Sequence, residues 1–246
     1  MTVHVAFTPL GLPTADVAGR TVVVVDILRA TTSITAALHH GARAVIIAAE
    51  TDEAITLAQS LDRSDVLLAG ERHCVRIPGF QLGNSPREML PETVRGKTLV
   101  MTTTNGTRAL LATAGAHEVL VGAAVNLGAV GARLRAAVEA GRDVLVLCAG
   151  REHGFGMDDA YLAGRLVTEA LGGRRTRKGL NDAAIVAVDL VRRYGNRIDR
   201  ALALSAAGRE LIRLGFGADV EAAAQVDAHP VLPIYHDRRV TLAAAA

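Results

Sequence analysis

Short apolar runs rich in β-branched residues alternate along the chain with longer stretches rich in alanine and leucine. Residues 22–25 are four consecutive valines, as expected for a strand that is buried on both faces. Residues 32–40 predict a helix that ends before Gly41, and residues 45–47 predict the next strand. Further strands are predicted at residues 66–69, 99–101, 119–121 and 144–147. This alternation is typical of a largely parallel α/β sheet.

The second half of the chain is richer in helical patterns. Helices are predicted at residues 158–171, 180–194, 200–214 and 218–224, and Pro230 and Pro233 predict an extended segment. Residues 21–47 and 97–121 share the order strand, polar loop, helix, Gly-Ala and strand, which arises either from duplication or from the general likeness of such units. We predict two α/β lobes, residues 1–125 and 126–246, with largely parallel sheets flanked by helices and an active-site cleft at the carboxyl ends of the strands.

Composition and charge narrow the class of partner. The chain has 246 residues, of which 50% are hydrophobic and 21% are charged, so it is expected to fold around a sizeable core. A net charge of +2 and an aromatic content of 3% argue against a nucleic-acid partner. Because no secretory signal and no membrane-spanning stretch is visible, we expect a cytoplasmic protein without a membrane partner. A homodimer is the default oligomer.

Cysteine and histidine spacing predicts neither a disulfide framework nor a zinc site. Cys74 and Cys148 are far apart and form no CxxC pair. No HxxxH or HExxH pattern is formed by the histidines at these six positions: His39, His40, His117, His153, His229 and His236. Surface or loop positions are therefore expected for them.

Polar residues collect directly after four of the predicted strands, which is where ligands bind in parallel α/β sheets. The loops are DILRATTS at residues 26–33, GER at 70–72, TTTNGT at 102–107 and CAGRE at 148–152. If the strands are parallel, the four loops share one edge of the sheet.

The loop DILRATTS combines an acidic residue with a helix start. Asp26 at a strand tip could bind Mg²⁺ or act as a nucleophile. The hydroxyls and amides of Thr31 and Thr32 favour binding of a phosphate, and the guanidinium of Arg29 can donate bidentate hydrogen bonds to an anion. The alternative is an ordinary helix cap by Thr31 or Thr32, with Asp26 closing a turn.

The loop TTTNGT offers a second set of anion donors. Hydroxyls and turn amides of Thr104, Asn105, Gly106 and Thr107 could surround an oxyanion. The alternative is a plain β-turn at Asn105-Gly106 after the strand. The sequence has no GxGxxG and no GxxxxGK[ST] pattern, so a dinucleotide site or a P-loop is not predicted.

Two further segments combine helix starts with polar residues. Ser85 and Glu88 predict a capping box around Pro86, while Asn84 is free to face a ligand. Asp158 and Asp159 precede a predicted helix, and their side chains diverge. We expect one of them to cap the helix and the other to reach the cleft.

Together these stretches resemble the 2-phosphosulfolactate phosphatase family, which is known from coenzyme M biosynthesis and occurs more widely in bacteria. The segments VDILRATTSI, GER, GFQLGNSP, TTTNGT and CAGREHGFGMDDAYLAG stand in the order found in that family and cover most of the chain. The resemblance implies a Mg²⁺-dependent hydrolase with a small anionic substrate, a phosphate monoester of a 2-hydroxy acid. It also implies a two-lobed α/β fold.

On this resemblance, Asp26, Glu71 and Asp159 are expected around Mg²⁺, and Asp26, Arg29 and Asp159 are expected to be catalytic. Attack by a metal-activated water is favoured over attack by Asp26, because Leu28 stands where a DxDxT phosphatase has its second aspartate. The residues expected to bind the phosphoryl and acid groups of the substrate are Thr31, Thr32, Arg72, Asn84, Thr104, Asn105, Gly106, Thr107 and Arg151.

The chain departs from the family's pattern at three places. His73-Cys74 replace a glycine after GER, Asp158 replaces a glutamate in a motif that also lacks its serine, and Ala206-Ala207 stand where a histidine often precedes Gly208. Two alternatives follow: a phosphatase for another phosphorylated hydroxy acid, or a non-catalytic module that binds sulfolactate or a similar anion on the same scaffold.

Overall fold

The computed structural model describes residues 1–62, 65–152 and 154–243. Their strands form one ten-stranded sheet. In chain order the strands are β1 Val3–Ala6, β2 Thr21–Val25, β3 Ala44–Ile47, β4 Val66–Arg72, β5 Val75–Arg76, β6 Thr98–Thr102, β7 Glu118–Gly122, β8 Val144–Cys148, β9 Pro233–His236 and β10 Arg239–Leu242. Every predicted strand is present, and the predicted α/β fold class is confirmed.

Helices cover both faces of this sheet. They are α1 Ala30–His39, α2 Thr51–Gln59, α3 Pro91–Val94, α4 Gly106–Leu111, α5 Leu127–Glu139, α6 Met157–Ala170, α7 Asp182–Tyr194, α8 Ile198–Leu204, α9 Ala206–Arg213 and α10 Gly217–Ala223. None of the helices in the described ranges is long and apolar enough to cross a bilayer.

The valines of β2 show how the two faces are built. Val23 and Val25 pack in a core with α5, α6 and α7, whereas Val22 and Val24 pack in a second core with α1. Because side chains alternate along a strand, a continuous run of valines serves both cores. Strand β2 is therefore buried on both faces, as the sequence predicts.

One predicted helix is divided into two. The prediction of a single helix at residues 200–214 is wrong, because Ser205 has extended backbone angles and its side-chain oxygen accepts a hydrogen bond from the Gly208 amide at 2.9 Å. A serine in this position caps a new helix instead of continuing the old one. The cap separates α8 from α9, and α9 reaches the cleft described below.

The sheet order is β1-β8-β2-β7-β9-β10-β3-β6-β4-β5. Strands β1, β8, β2 and β7 are parallel to one another, and so are β3, β6 and β4. The β9–β10 hairpin joins the two groups through three successive antiparallel pairings. The two predicted lobes thus both contribute strands to one sheet, and their boundary near residue 125 stays a prediction.

The sequence predicted that the four polar loops meet because their strands are parallel, and the antiparallel hairpin β9–β10 shows that this reason is wrong. The two groups of parallel strands are antiparallel to each other within the sheet. The loops after β2, β4, β6 and β8 nevertheless line one cleft. Adjacent strands are rotated by roughly 20–25°, which accumulates to roughly 100–125° over the five pairings between β2 and β6. This twist, with the buried helix α1 between the groups, accounts for the convergence.

Candidate active site

The four polar loops surround a cleft of about 310 Å³. Helix α6 and helix α9 complete its wall. The residues that line it are Asp26, Leu28, Arg29, Glu71, His73, Cys74, Asn84, Thr104, Asn105, Gly150, Arg151, Glu152, Asp158, Asp159, Ala207 and Leu211. Eight of the predicted site residues are in this set: Asp26, Arg29, Glu71, Asn84, Thr104, Asn105, Arg151 and Asp159.

The structure does not bring Thr31 and Thr32 to the cleft. Both are fully buried, and their hydroxyls bond to the backbone of the preceding loop. The Thr31 hydroxyl accepts from the Asp26 amide at 3.2 Å, and the Thr32 hydroxyl donates to the Ile27 carbonyl at 2.8 Å. These bonds fix the turn between β2 and α1, which corresponds to the structural alternative in the sequence.

Arg72 and Thr107 also lie outside the cleft lining. The Arg72 guanidinium donates to the Thr102 hydroxyl at 3.2 Å and to Glu50 at 3.4 Å. Thr107 is buried, and its hydroxyl donates to the Thr103 carbonyl at 2.9 Å. Asn105 and Gly106 form the start of α4 rather than a β-turn. The expected anion donors of this loop are therefore reduced to Thr104 and Asn105.

Asp26 is the predicted carboxylate with the fewest protein partners. One of its oxygens accepts a long hydrogen bond from the Ala30 amide at 3.4 Å. The other, Oδ2, faces Gly106, where a Cβ atom would lie 2.7 Å from it and 2.6 Å from the Cβ of Ala30. Only glycine leaves room for this carboxylate, so Gly106 acts by shaping the site.

Replacing Gly106 with alanine is expected to reduce stability and activity together. The added methyl group meets a fixed Cβ atom and displaces the Asp26 carboxylate, so the free energy of unfolding should fall by about 1–3 kcal/mol. Turnover should fall by roughly tenfold or more, because small misplacements of a reacting group are costly. Urea denaturation and phosphate-release assays measure the two effects.

Gly217→Ala is the matched control for this prediction. At the first residue of α10 the nearest atom to an added Cβ is Ile212 Cγ1 at 3.9 Å, an ordinary contact. Its stability should change by less than about 1 kcal/mol. A Gly106→Ala variant that behaves like this control would show that the close packing beneath Asp26 is unimportant.

Glu71 and Asp159 are anchored to the backbone of neighbouring loops. The Glu71 carboxylate accepts from the Thr104 amide at 2.8 Å and from the Cys74 amide at 2.7 Å. Asp159 accepts from the Ile27 amide at 2.9 Å and the Gly150 amide at 3.1 Å. Each carboxylate therefore connects loops that follow different strands and stabilises the cleft. Both side chains still line the cleft.

Asp158 also lines the cleft, which corrects the expectation that one aspartate of the pair caps α6. The helix cap is Gly156, and both aspartates belong to the first turn. At this position two adjacent side chains reach the same cleft because the loops after β2 and β8 close over the start of the helix. In the sequence, Asp158 stands out only because it replaces a glutamate of the family pattern. The spacing of the motif does not place it in the site.

Burial dominates the electrostatics of the acidic residues. It raises the pKa of Asp26 to about 7, with a further contribution from Glu71, and it raises the pKa of Asp158 to about 6. The pKa of Asp159 is raised well above its usual range by burial and by the charges of Asp158 and Asp26. Burial therefore disfavours the charged forms of Asp26, Asp158 and Asp159, and a cation placed between these carboxylates would favour them.

Arg29 reaches the cleft, but its two terminal nitrogens are engaged by the protein. One donates to Asp219 at 2.7 Å and the other to the Cys74 carbonyl at 2.7 Å, and the guanidinium stacks 4.7 Å from the centre of the Phe216 ring. The pair is almost completely buried. The expected catalytic role of Arg29 stays a prediction, and the observed contacts fix α10 to the loop after β2.

Asp219 and Ser85 belong to this support and were not predicted to contribute to the site. The Ser85 hydroxyl donates to Asp219 at 2.7 Å and accepts from the Arg87 amide at 3.2 Å, which confirms its predicted cap. Glu88 accepts from the Gly83 amide instead of completing the capping box. Asp219 lies 190 residues from Arg29 in a helix that was predicted without any site motif, so no sequence signal indicated the pair.

Two buried polar atoms in the cleft lining have no hydrogen-bond partner within the described chain. They are Oδ1 of Asn84 and Oγ1 of Thr104. A buried polar atom without a partner is costly, so such atoms in a cleft indicate positions that a ligand would satisfy. This observation supports the predicted substrate-binding positions at Asn84 and Thr104.

The donor set of the cleft suits Mg²⁺ chemically. Carboxylates are hard oxygen ligands, and Mg²⁺ keeps several waters and needs only one or two protein carboxylates. The oxygens of Glu71 and Asp159 are partly engaged by amides, whereas Asp26 faces the cleft with one long hydrogen bond. Among the described residues, the carboxylate oxygens of Asp26, Glu71 and Asp159 do not form a group within 4.8 Å of one another.

A mixed α/β sheet whose polar loops close a buried acidic cleft defines an enzyme that acts on a small charged substrate. The family model described as 2-phosphosulpholactate phosphatase matches residues 6–238. The chain belongs to the 2-phosphosulfolactate phosphatase family, a family of phosphoric monoester hydrolases.

Similar curated proteins support the same assignment. A protein of Symbiobacterium thermophilum named probable 2-phosphosulfolactate phosphatase is 40% identical over 230 residues, 94% of this chain and 97% of its own length. Proteins with the same name from Caldanaerobacter subterraneus and Deinococcus radiodurans are 39% and 40% identical. These alignments cover 89% and 85% of this chain, and 88% and 85% of the respective relatives.

Proposed function

We propose that this enzyme hydrolyses 2-phosphosulfolactate to sulfolactate and phosphate in a Mg²⁺-dependent reaction. The proposal rests on one observation: a single small cleft contains both buried acidic side chains and buried polar atoms that have no hydrogen-bond partner in the described chain. The substrate has a phosphate, a carboxylate and a sulfonate, all negatively charged. A cation in the cleft would offset the charges of Asp26, Glu71 and Asp158 and would favour entry of this anionic substrate.

Mg²⁺ would be held at Asp26, with Glu71 and Asp159 as further oxygen donors and Asp158 facing the same space. When bound, this ion supplies charge stabilisation for the phosphoryl oxygens and a more acidic water. The carboxylates of this chain would hold the ion in the cleft. Phosphoryl transfer depends chiefly on such positioning and on charge stabilisation.

The remaining polar residues would bind the rest of the substrate. The Thr104 hydroxyl can donate to a phosphoryl or acid oxygen, and Asn84 can accept from a water or hydroxyl. Arg151 lines the cleft with a contact of 3.7 Å to exposed Glu152, so its guanidinium is positioned to pair with a carboxylate or sulfonate. Asn105 would complete the wall next to Asp26.

Hydrolysis forms a bond between a water oxygen and phosphorus and breaks the bond between phosphorus and the C2 oxygen. The leaving alkoxide then takes a proton. Asp158, which lines the cleft, is the candidate donor of this proton. Arg29 would position the loop that carries Asp26 through its pair with Asp219.

The decisive experiment compares phosphate release from 2-phosphosulfolactate, phospholactate and phosphoglycolate, in Mg²⁺ and in EDTA. We expect release that EDTA abolishes and Mg²⁺ restores, with kcat/KM for 2-phosphosulfolactate about tenfold or more above the others, because Arg151 gains a sulfonate partner. Similar rates for all three would assign another hydroxy-acid phosphate. Binding without release, from folded protein, would favour the non-catalytic module.

His73, Cys74 and Ala207 line the cleft at positions where the sequence departs from the family pattern. These three side chains therefore contact the substrate space, and the panel above tests whether they change its preference. We keep the cytoplasmic location and the homodimer as proposals, and neither enters the mechanism.

A further inference from the structure

Three histidines form a cluster at the carboxyl end of α1, the end of this helix that is away from the acidic cleft. His39 and His40 lie at the carboxyl end of the helix, and His229 lies in the segment between α10 and β9. One ring nitrogen from each lies within 4.8 Å of the others, and the ring centres are 4.6–5.2 Å apart. His153, named with them in the sequence analysis, lies outside the described residues.

We infer that His39, His40 and His229 form a binding site for one Zn²⁺-like divalent ion. Three imidazoles are ligands of borderline softness, which suits Zn²⁺ and not Mg²⁺. A water would occupy the fourth position, because His39 is exposed to solvent. The site is distinct from the cleft, since α1 begins beside Asp26 and its ten residues span roughly 15 Å before the histidines.

The ring of His40 is oriented for this role by a carbonyl group. Its Nδ1 lies 2.5 Å from the carbonyl oxygen of Met89, which can only accept a hydrogen bond. The Nδ1 atom must therefore carry the proton, and Nε2 keeps its lone pair free. A backbone carbonyl behind a histidine ligand is the usual arrangement that fixes its tautomer in metal sites.

His229 provides a second observation that points to a ligand. Its Nδ1 is buried without a hydrogen-bond partner in the described chain. The backbone around it is fixed, because its amide donates to the Val125 carbonyl at 2.8 Å and its carbonyl accepts from the Val231 amide at 2.7 Å.

The surroundings also favour a cation. The last turn of α1 presents carbonyl groups and the negative end of the helix dipole. Zn–N bonds of about 2.0–2.1 Å place tetrahedral ligand nitrogens roughly 3.3 Å apart, so the rings need to close by at most about 1.5 Å. The exposed side chain of His39 is free to make this adjustment. A bound ion would tie the segment before β9 to α1.

Metal titration of the full-length enzyme tests the inference. Zn²⁺ binding would be measured by competition with a chromophoric chelator, and Co²⁺ would report ligand type through its visible spectrum. We expect one equivalent of Zn²⁺, an intense four-coordinate Co²⁺ spectrum, and a higher melting temperature with Zn²⁺ than in EDTA. In His39→Ala and His229→Ala the dissociation constant should rise by about tenfold or more.

Two controls separate this site from other binding. His117→Ala removes an exposed histidine elsewhere, and Asp26→Asn removes a cleft carboxylate; both should leave Zn²⁺ affinity and the Co²⁺ spectrum unchanged. His39 is exposed, so His39→Ala should keep its melting temperature in EDTA and remains informative if His229→Ala does not fold. The inference is overturned by absence of Zn²⁺ binding, by unchanged affinity in His39→Ala, or by a weak six-coordinate Co²⁺ spectrum.

Discussion

Asp26→Asn is expected to lower the rate of phosphate release by roughly 100- to 10,000-fold without unfolding the protein. Asp26 is the cleft carboxylate with the fewest protein partners, and it faces the space that the reacting phosphate would occupy. Asparagine keeps the shape but removes the charge. The melting temperature in EDTA should equal or exceed that of the wild type, because the substitution removes a buried carboxylate that stands beside Glu71 and Asp158.

Asp16→Asn is the control, since Asp16 is exposed in a short 3₁₀ helix and does not line the cleft. It should retain full activity.

A rapid-quench experiment with labelled substrate distinguishes the two possible nucleophiles in the wild type. No acid-stable phosphate on the protein is expected for attack by water, whereas a phosphoprotein would make Asp26 the nucleophile. Near wild-type turnover in Asp26→Asn would remove this residue from the mechanism.

Asp219→Ala is expected to lower the free energy of unfolding by about 3–5 kcal/mol. The substitution leaves the guanidinium of Arg29 buried without its carboxylate partner, and both side chains of the pair are only 3% exposed. The Ser85 hydroxyl loses its acceptor in the same change. Urea denaturation measures the loss, and phosphate release should fall as well because α10 no longer fixes the loop that carries Asp26.

Asp189→Ala is the matched control for the Asp219 prediction. Asp189 pairs with Arg192 at the same distance of 2.7 Å, but the two side chains are 50% and 57% exposed. Its removal should change stability by less than about 1 kcal/mol. The double variant Arg29→Met with Asp219→Leu should recover much of the stability, since a buried pair can be replaced by apolar side chains. Equal effects at Asp219 and Asp189 would contradict the assignment.

The fold class follows from local patterns that need no tertiary information. Residues 22–25 predict β2 and residues 144–147 predict β8, because a run of apolar residues is stable only in the interior of a sheet. The β9–β10 hairpin was not predicted, since the proline-marked segment shows no alternation. That hairpin inverts one half of the sheet, so the meeting of the polar loops depends on twist and not on parallel strands alone.

The candidate site was predicted in part. Motif order identified Asp26, Glu71, Asn84 and Arg151, all of which line the cleft. Thr31 was assigned to the substrate because a hydroxyl at a helix start serves equally well as a phosphate donor or as a partner of its own backbone. Only the packed structure shows that its hydroxyl is used by the Asp26 amide.

Sequence by itself determined the α/β class, the acidic and hydroxyl-bearing loops, and the family resemblance, because these depend on residues close together in the chain. Tertiary structure decided which partners distant residues have. It paired Arg29 with Asp219, and it brought His229 to His39, although no spacing indicated either contact. Such contacts arise from long-range packing, in which side chains separated by about 190 residues meet only after the sheet has formed.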